Sequence, residues 1–177
     1  MVKHRILHQG IPIYSIKKMK LFTIGVYGSV EPEFYGKLTS NHIDVFCDIR
    51  QRRGVRGSKY AFVNSNYLQA KLSEIGIKYV YEKQLAPTKE IRELQWAEDK
   101  AEGQTKKTRE SLGHAFSCGY EHLILDAINL DELINKLKAL NAKNIVFFCL
   151  ESRPEACHRS LLAKRLAKKY NLEVINL

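Results

Sequence analysis

Reactive side chains gather at a few points along this chain. Cys149 and Glu151 close the apolar run NIVFFCL, and Cys157-His158-Arg159-Ser160 follow in a helical stretch. Asp48 and Arg50 end a second apolar run, HIDVFCDI, and open the basic loop RQRRGVRGSK. An ionised Cys149 or Cys157 is a nucleophile, and His158 can exchange a proton near neutral pH. Asp48 and Glu151 can serve as acid–base groups or orient arginines. Arg50, Arg52, Arg53 and Arg56 suit phosphate, with Tyr60 beside them for stacking. Nucleophilic or proton-transfer work on an anionic ligand is the chemistry these types share.

The candidates carry alternatives. A helix begun at Pro154 would turn Cys157 away from its apolar face, whereas a start near Ala156 would place the thiol at the positive end of the helix dipole. Cys149 is at least as good a thiol candidate as Cys157, its alternative being a small buried hydrophobe, and Cys47 reads as core. Arg159 falls in the middle of the face formed by Leu162, Ala163, Leu166 and Tyr170. A charge there needs a partner, and Asp48 and Glu151 are the expected ones. It then either fixes loops as an ion pair or binds an anion. Arg153 lies four residues and Arg159 ten residues after Cys149, so the C-x5-R phosphatase pattern is absent. A zinc site from Cys149, Cys157 and His158 lacks CxxC or HxxxH spacing, and no metal or cofactor is expected.

Positioning these groups requires an alternation of strands and helices. LFTIGVYG (21–28), HIDVFCDI (42–49), IKYVYE (77–82), NIVFFCL (144–150) and LEVINL (172–177) read as strands. Between them the sequence predicts helices over 31–40 with Ser29 as cap, from Asn64 or Ser65 to Ile75, and over 88–102, 105–119, 130–140 and 154–170. Ser152 and Glu155 match a capping box. On the 88–102 helix the stripe Ile91, Leu94, Ala97 and Ala101 is apolar, with Trp96 facing away and expected to pack under a neighbouring segment. This order predicts a single three-layer α/β domain with a mostly parallel sheet over residues 20–177. Residues 1–19 read as a basic extension with β character, packed on the domain. In such sheets ligands bind beyond the carboxyl ends of the strands. The first strand brings Gly25 to that rim, the second Asp48 and Arg50, and the fourth Cys149 and Glu151.

Composition narrows the class. The chain has 177 residues, 45% hydrophobic and 27% charged, which fits a globular fold and excludes wholesale disorder. No apolar run approaches the about 20 residues of a membrane span. The first twenty residues lack the apolar stretch of a secretory signal, and four Cys without one suggest reduced thiols in the cytoplasm. The formal charge is +10. Residues 1–20 and 50–59 together hold ten of the 29 basic residues and no acid, so the remaining 147 balance at 19 of each sign. A concentrated basic patch favours an anionic small molecule or nucleic acid as partner.

Four motifs, in order, carry a family resemblance: Thr23-Ile24-Gly25; Asp48-Ile49-Arg50; Gly76-Ile77 with Tyr79; and Cys149-x-Glu151 with Cys157-His158-Arg159. Together they resemble the Domain of Unknown Function 488 family over about residues 20–177. Val26 stands where that family usually has His, and Gln84-Leu85-Ala86-Pro87 where it usually has a Leu-Gly pair. The resemblance implies a small α/β domain with a shared rim formed by these motifs, and it implies no particular activity.

The expected site therefore has Asp48, Cys149, Glu151, Cys157 and His158 as candidate catalytic groups. Gly25, Arg50, Arg52, Arg53, Arg56, Tyr60, Arg159 and Ser160 are the candidate ligand-binding groups. The first reading is a protein that binds or acts on an anionic, phosphate-containing, nucleotide-like ligand. The second is a nucleic-acid-binding protein that grips with the 50–59 loop and the N-terminal extension. The third is a non-catalytic interaction module.

Overall fold

A computed structural model describes residues 19–105 and 108–177. The expectation for residues 1–18 lies outside the described residues. Five strands form one sheet: β1 (Lys20–Ile24), β2 (Val45–Asp48), β3 (Lys78–Tyr81), β4 (Asn144–Phe148) and β5 (Glu173–Asn176). Their order is β3-β2-β4-β1-β5, and every pairing is parallel. The helices are α1 (Glu31–Ser40), α2 (Ser65–Glu74), α3 (Lys89–Ala101), α4 (His114–Tyr120), α5 (Leu130–Ala139) and α6 (His158–Tyr170).

The continuous apolar strands are explained by burial on both faces. Successive residues of a strand point to opposite sides, and this sorts the core in two. Leu21, Val45, Cys47, Ile145 and Phe147 pack with residues of α3, α4, α5 and α6. Phe22, Ile24, Phe46, Val146 and Phe148 pack with Phe34 and Leu38 of α1 and Leu68 and Leu72 of α2. The result is a three-layer, doubly wound α/β domain, and Cys47 is core as expected.

Topology places the rim. Leaving β2, the chain passes through α2 to the edge strand β3; leaving β4, it passes through α6 on the other face to the opposite edge, β5. The two connections diverge from neighbouring strands, and such a divergence opens a crevice at their carboxyl ends. Register brings these ends level, with Asp48 opposite Phe148.

Local chemistry moves several boundaries. Val30, not Ser29, is the N-cap of α1, with Pro32 in the first turn where a missing N–H costs nothing. The helix expected over 105–119 is reduced to α4, seven residues long. Residues 108–113 instead run as a strap over α3: Arg109 bonds Asp99, and the N–H of Gly113 donates to Gln95. On α3 the buried face is Ile91, Gln95 and Asp99, while Leu94 of the expected apolar stripe is 41% exposed. Trp96 is 55% exposed, not packed under a neighbour. The expected helix from Pro154 begins instead at His158, after a 3-10 turn over Pro154–Ala156, and the Ser152/Glu155 capping box does not form its start.

Candidate functional site

A cavity of about 380 Å³ opens at the divergence of β2 and β4, a size suited to a small-molecule ligand. Most of its wall comes from four segments, the loop after β2, one face of α3, the 108–113 strap, and the connection from β4 into α6, with Pro87 and Phe116 of α4 added.

The loop after β2 supplies Arg50. Its Nε donates to Asp48 Oδ1 at 2.8 Å and its Nη2 to Asp48 Oδ2 at 2.7 Å, while the carbon at the centre of the guanidinium lies 4.6 Å from the centroid of Phe148. Asp48 also accepts from the Arg50 N–H at 3.1 Å and from the Tyr79 hydroxyl at 2.8 Å. Burial first, and then the Asp48 carboxylate, pushes the Tyr79 hydroxyl well above its usual range, so it stays protonated and donating. With four donors on it, Asp48 orients Arg50 and is fully buried. Arg50 is 2% exposed, lines the cavity, and keeps Nη1 buried without a hydrogen-bond partner among the described residues.

The connection from β4 supplies the sulfurs. Cys157 is the N-cap of α6, with extended backbone at φ −140° and ψ 138°, so its thiol lies at the positive end of a thirteen-residue helix. Burial raises this thiol, but hydrogen bonding from Cys149 and the neighbouring His158 and Arg159 outweigh it and hold Cys157 well below the usual thiol value. Cys149 is pushed the other way, chiefly by donating to Cys157 and then by burial. Of the two sulfurs, Cys157 is thus the one whose anion is favoured and Cys149 the one whose neutral thiol is favoured. His158 Nδ1 lies 3.9 Å from Cys149 Sγ and 3.8 Å from Cys157 Sγ, and its Nε2 lies 3.3 Å from the Ile49 carbonyl oxygen. These three side chains have donor atoms all within 4.8 Å of one another, although their spacing in sequence matches no metal motif.

Of the expected site residues, Arg50, Arg52, Cys149, Glu151, Cys157 and His158 line the cavity. The others do different work. Arg159 is 1% exposed and does not pair with the Asp48 or Glu151 carboxylates: it donates to the backbone carbonyls of Glu151 and Ser152, and to Thr23 Oγ1 at 3.4 Å. It ties the loop after β4 to β1. Gly25 serves the same loop, because a Cβ there would overlap the Glu151 carbonyl. Ser160 Oγ donates to the Cys157 carbonyl at 2.9 Å within the first turn of α6. Arg53 turns back onto the domain, 4.5 Å from the Tyr81 ring centroid. Tyr60 accepts from the Gly28 N–H at 3.0 Å and packs on Tyr27, which removes it from the cavity. Arg56 is exposed on the loop.

Sequence reasoning missed the contribution of α3 and the strap. Arg92, Gln95 and Trp96 line the cavity from α3, and Arg109 from the strap. Arg109 is held by Asp99 at 2.9 Å and by the Ala156 carbonyl at 3.3 Å. The nitrogens Arg92 Nε and Arg109 Nε are buried without partners among the described residues. The available signal was the polar stripe Arg92, Gln95, Trp96 and Asp99, whose spacing puts all four on one side of a helix. Among the described residues the cavity wall therefore carries four arginines and one carboxylate, Glu151, with Asp48 and Asp99 behind two of the arginines.

A family model described as Domain of unknown function DUF488 matches residues 32–166, which include this wall from Arg50 to His158. No curated protein and no solved structure matches the chain.

Proposed function

The chain belongs to the DUF488 family, and from that premise we propose that it binds, and is placed to act on, a small phosphate-bearing anion in the cavity between β2 and β4. The observation that carries this reading is the Arg50 guanidinium. It is oriented by a two-point contact with a buried carboxylate, it lines the cavity, and its remaining nitrogen is buried without a hydrogen-bond partner among the described residues. A buried donor left unpaired is costly, and an anion in the cavity would satisfy it with a charge-assisted bond. Arg92 and Arg109 line the same wall, and each has a buried Nε without a partner among the described residues. Trp96 offers a ring at the rim for a base or another flat group. Cys149, Cys157 and His158 form the reactive end of the cavity.

Calorimetric titration of the full chain with inorganic phosphate, pyrophosphate and nucleoside mono- and triphosphates tests this reading. One saturating site is expected, weakened at least about tenfold, or ~1.4 kcal/mol, by Arg92→Gln and by Arg50→Lys. Lys keeps the charge but loses the planar fork. Affinities unchanged by both replacements, or no binding of any of these anions, would sink it. Binding of oligonucleotides alone, weakened by Arg56→Glu and Lys59→Glu and falling steeply with salt, would favour the nucleic-acid reading instead.

A further inference from the structure

We propose that Cys149, Cys157 and His158 form a three-ligand site for a thiophilic divalent cation of the zinc class, with the fourth coordination position open to the cavity. The inference goes beyond the anion reading and uses none of the arginines.

Three features carry it. The first is distance. Zinc binds sulfur at about 2.3 Å and imidazole nitrogen at about 2.0–2.1 Å, so tetrahedral geometry separates a sulfur from a nitrogen ligand by roughly 3.6 Å. Both sulfurs lie 3.8–3.9 Å from His158 Nδ1, so the two sulfur–nitrogen separations need shift by only a few tenths of an ångström to close onto an ion, and all three donor atoms already lie within 4.8 Å of one another.

The second is direction. His158 Nε2 faces the Ile49 carbonyl at 3.3 Å, which accepts and therefore fixes the N–H on Nε2. The lone pair then sits on Nδ1, on the side of the two sulfurs. A histidine whose distal N–H is held by a backbone carbonyl is the arrangement that orients imidazole for a metal. Tyr120 packs its ring 5.3 Å from the imidazole and holds its own hydroxyl on the Leu85 carbonyl at 2.7 Å, so the imidazole is bounded on that side by a ring whose hydroxyl is already engaged.

The third is access. All three residues line the 380 Å³ cavity, with Cys149 the least buried of them. Three protein ligands with one open position is the arrangement of a zinc ion that takes a water or a substrate oxygen, not of a closed structural site. Binding would release the thiol protons to solvent. Glu151 stands on the same wall, within the cavity into which the open position faces.

The test is loading of the reduced, untagged full chain with Co(II), followed by competition with Zn(II). One cobalt per chain is expected, with thiolate-to-cobalt charge transfer in the near ultraviolet and visible bands of tetrahedral intensity. Zinc should abolish these bands and protect two thiols from alkylation. Cys149→Ser, Cys157→Ser and His158→Gln should each weaken binding at least about tenfold, while Cys118→Ser, which lies outside the cavity, should not. If a variant fails to fold, the number of thiols that zinc protects in the unaltered chain decides. No cobalt spectrum at equimolar metal, or cobalt affinity unaltered in all three variants, would overturn the proposal. So would a Cys149–Cys157 disulfide that persists under reducing conditions. Phosphate titration of metal-free protein separates the two readings: anion binding retained without any metal affinity removes the ion alone.

Discussion

Asp48 and Arg50, two residues apart, form a buried two-point ion pair that holds the Nε–Nη2 edge of the guanidinium and leaves Nη1 buried without a hydrogen-bond partner among the described residues. Asp48→Asn keeps the size of the side chain but removes the charge that balances Arg50. Breaking one side of a buried pair costs about 3–5 kcal/mol. Urea denaturation should register a loss of that size, and phosphate affinity should fall with it. A denaturation midpoint equal to the unaltered protein's would mean that Arg50 does not depend on Asp48.

Arg159 is expected to act on stability. Its contacts are the carbonyls of Glu151 and Ser152 and the Thr23 hydroxyl, so Arg159→Met strips the loop after β4 of its anchor. Hydrogen bonds from a charged group are worth about 1.5–3 kcal/mol each, and the melting temperature should drop by several degrees. A variant that melts with the parent but binds phosphate more weakly would restore Arg159 to the ligand contacts.

Gly25→Ala places a methyl group against the backbone of Glu151. The neighbour is backbone, with no flexible side chain to swing aside, and overpacking of this kind costs about 1–3 kcal/mol. Thermal melts should show the loss, and amide exchange at residues 150–153 should quicken. Slow exchange there with native stability would contradict the close approach.

Between α5 and α6, Asp131 accepts from Lys169 at 2.7 Å and from the Tyr170 hydroxyl at 2.6 Å. Those bonds, Lys169 foremost, hold its carboxyl below the usual range. A depressed folded-state value means that the contribution is present above the unfolded value of about 3.9 and is lost as pH falls through the folded value. The gap in melting temperature between the unaltered chain and Asp131→Asn should therefore be small but full near neutral pH and close toward strongly acid pH. Added salt should shrink it, since the group is exposed. A gap that widened on acidification would reverse the sign of the argument.

The sheet was legible because both of its faces are covered. Runs such as NIVFF have no other use in a chain of this size, and the strand ends correctly delivered Arg50, Cys149 and Glu151 to one rim. The start of α6 was not legible. Ser152, Pro154 and Glu155 satisfy local rules for a helix start, but contacts beyond one helical turn compete with them: Arg159 engages the Glu151 and Ser152 carbonyls, eight and seven residues back, and Thr23 of β1. That delay is what makes Cys157 a cap and turns its sulfur toward Cys149 and His158. Likewise Gln95 and Asp99 are polar, and periodicity assigns such residues to solvent. The strap that covers them, with its Arg109 and Gly113 N–H bonds, has no signal of its own in the sequence.

The position of β4 has a consequence for how the protein is made. This strand lies between β2 and β1 in the sheet, yet both of those are translated some hundred residues earlier. A nascent chain that ends before residue 144 holds the β2–β3 pair and a lone β1, whose partners β4 and β5 are both still to come. Such a chain offers unpaired backbone to any passing strand, and long-range parallel pairing is slow to form. A fragment of residues 19–140 should accordingly show no cooperative melt and should be held by chaperones during synthesis. The sulfurs, the histidine and the arginine fork reach one another only when β4 is in place, so newly made protein acquires its cavity in the same step that joins β1 to the β2–β3 pair.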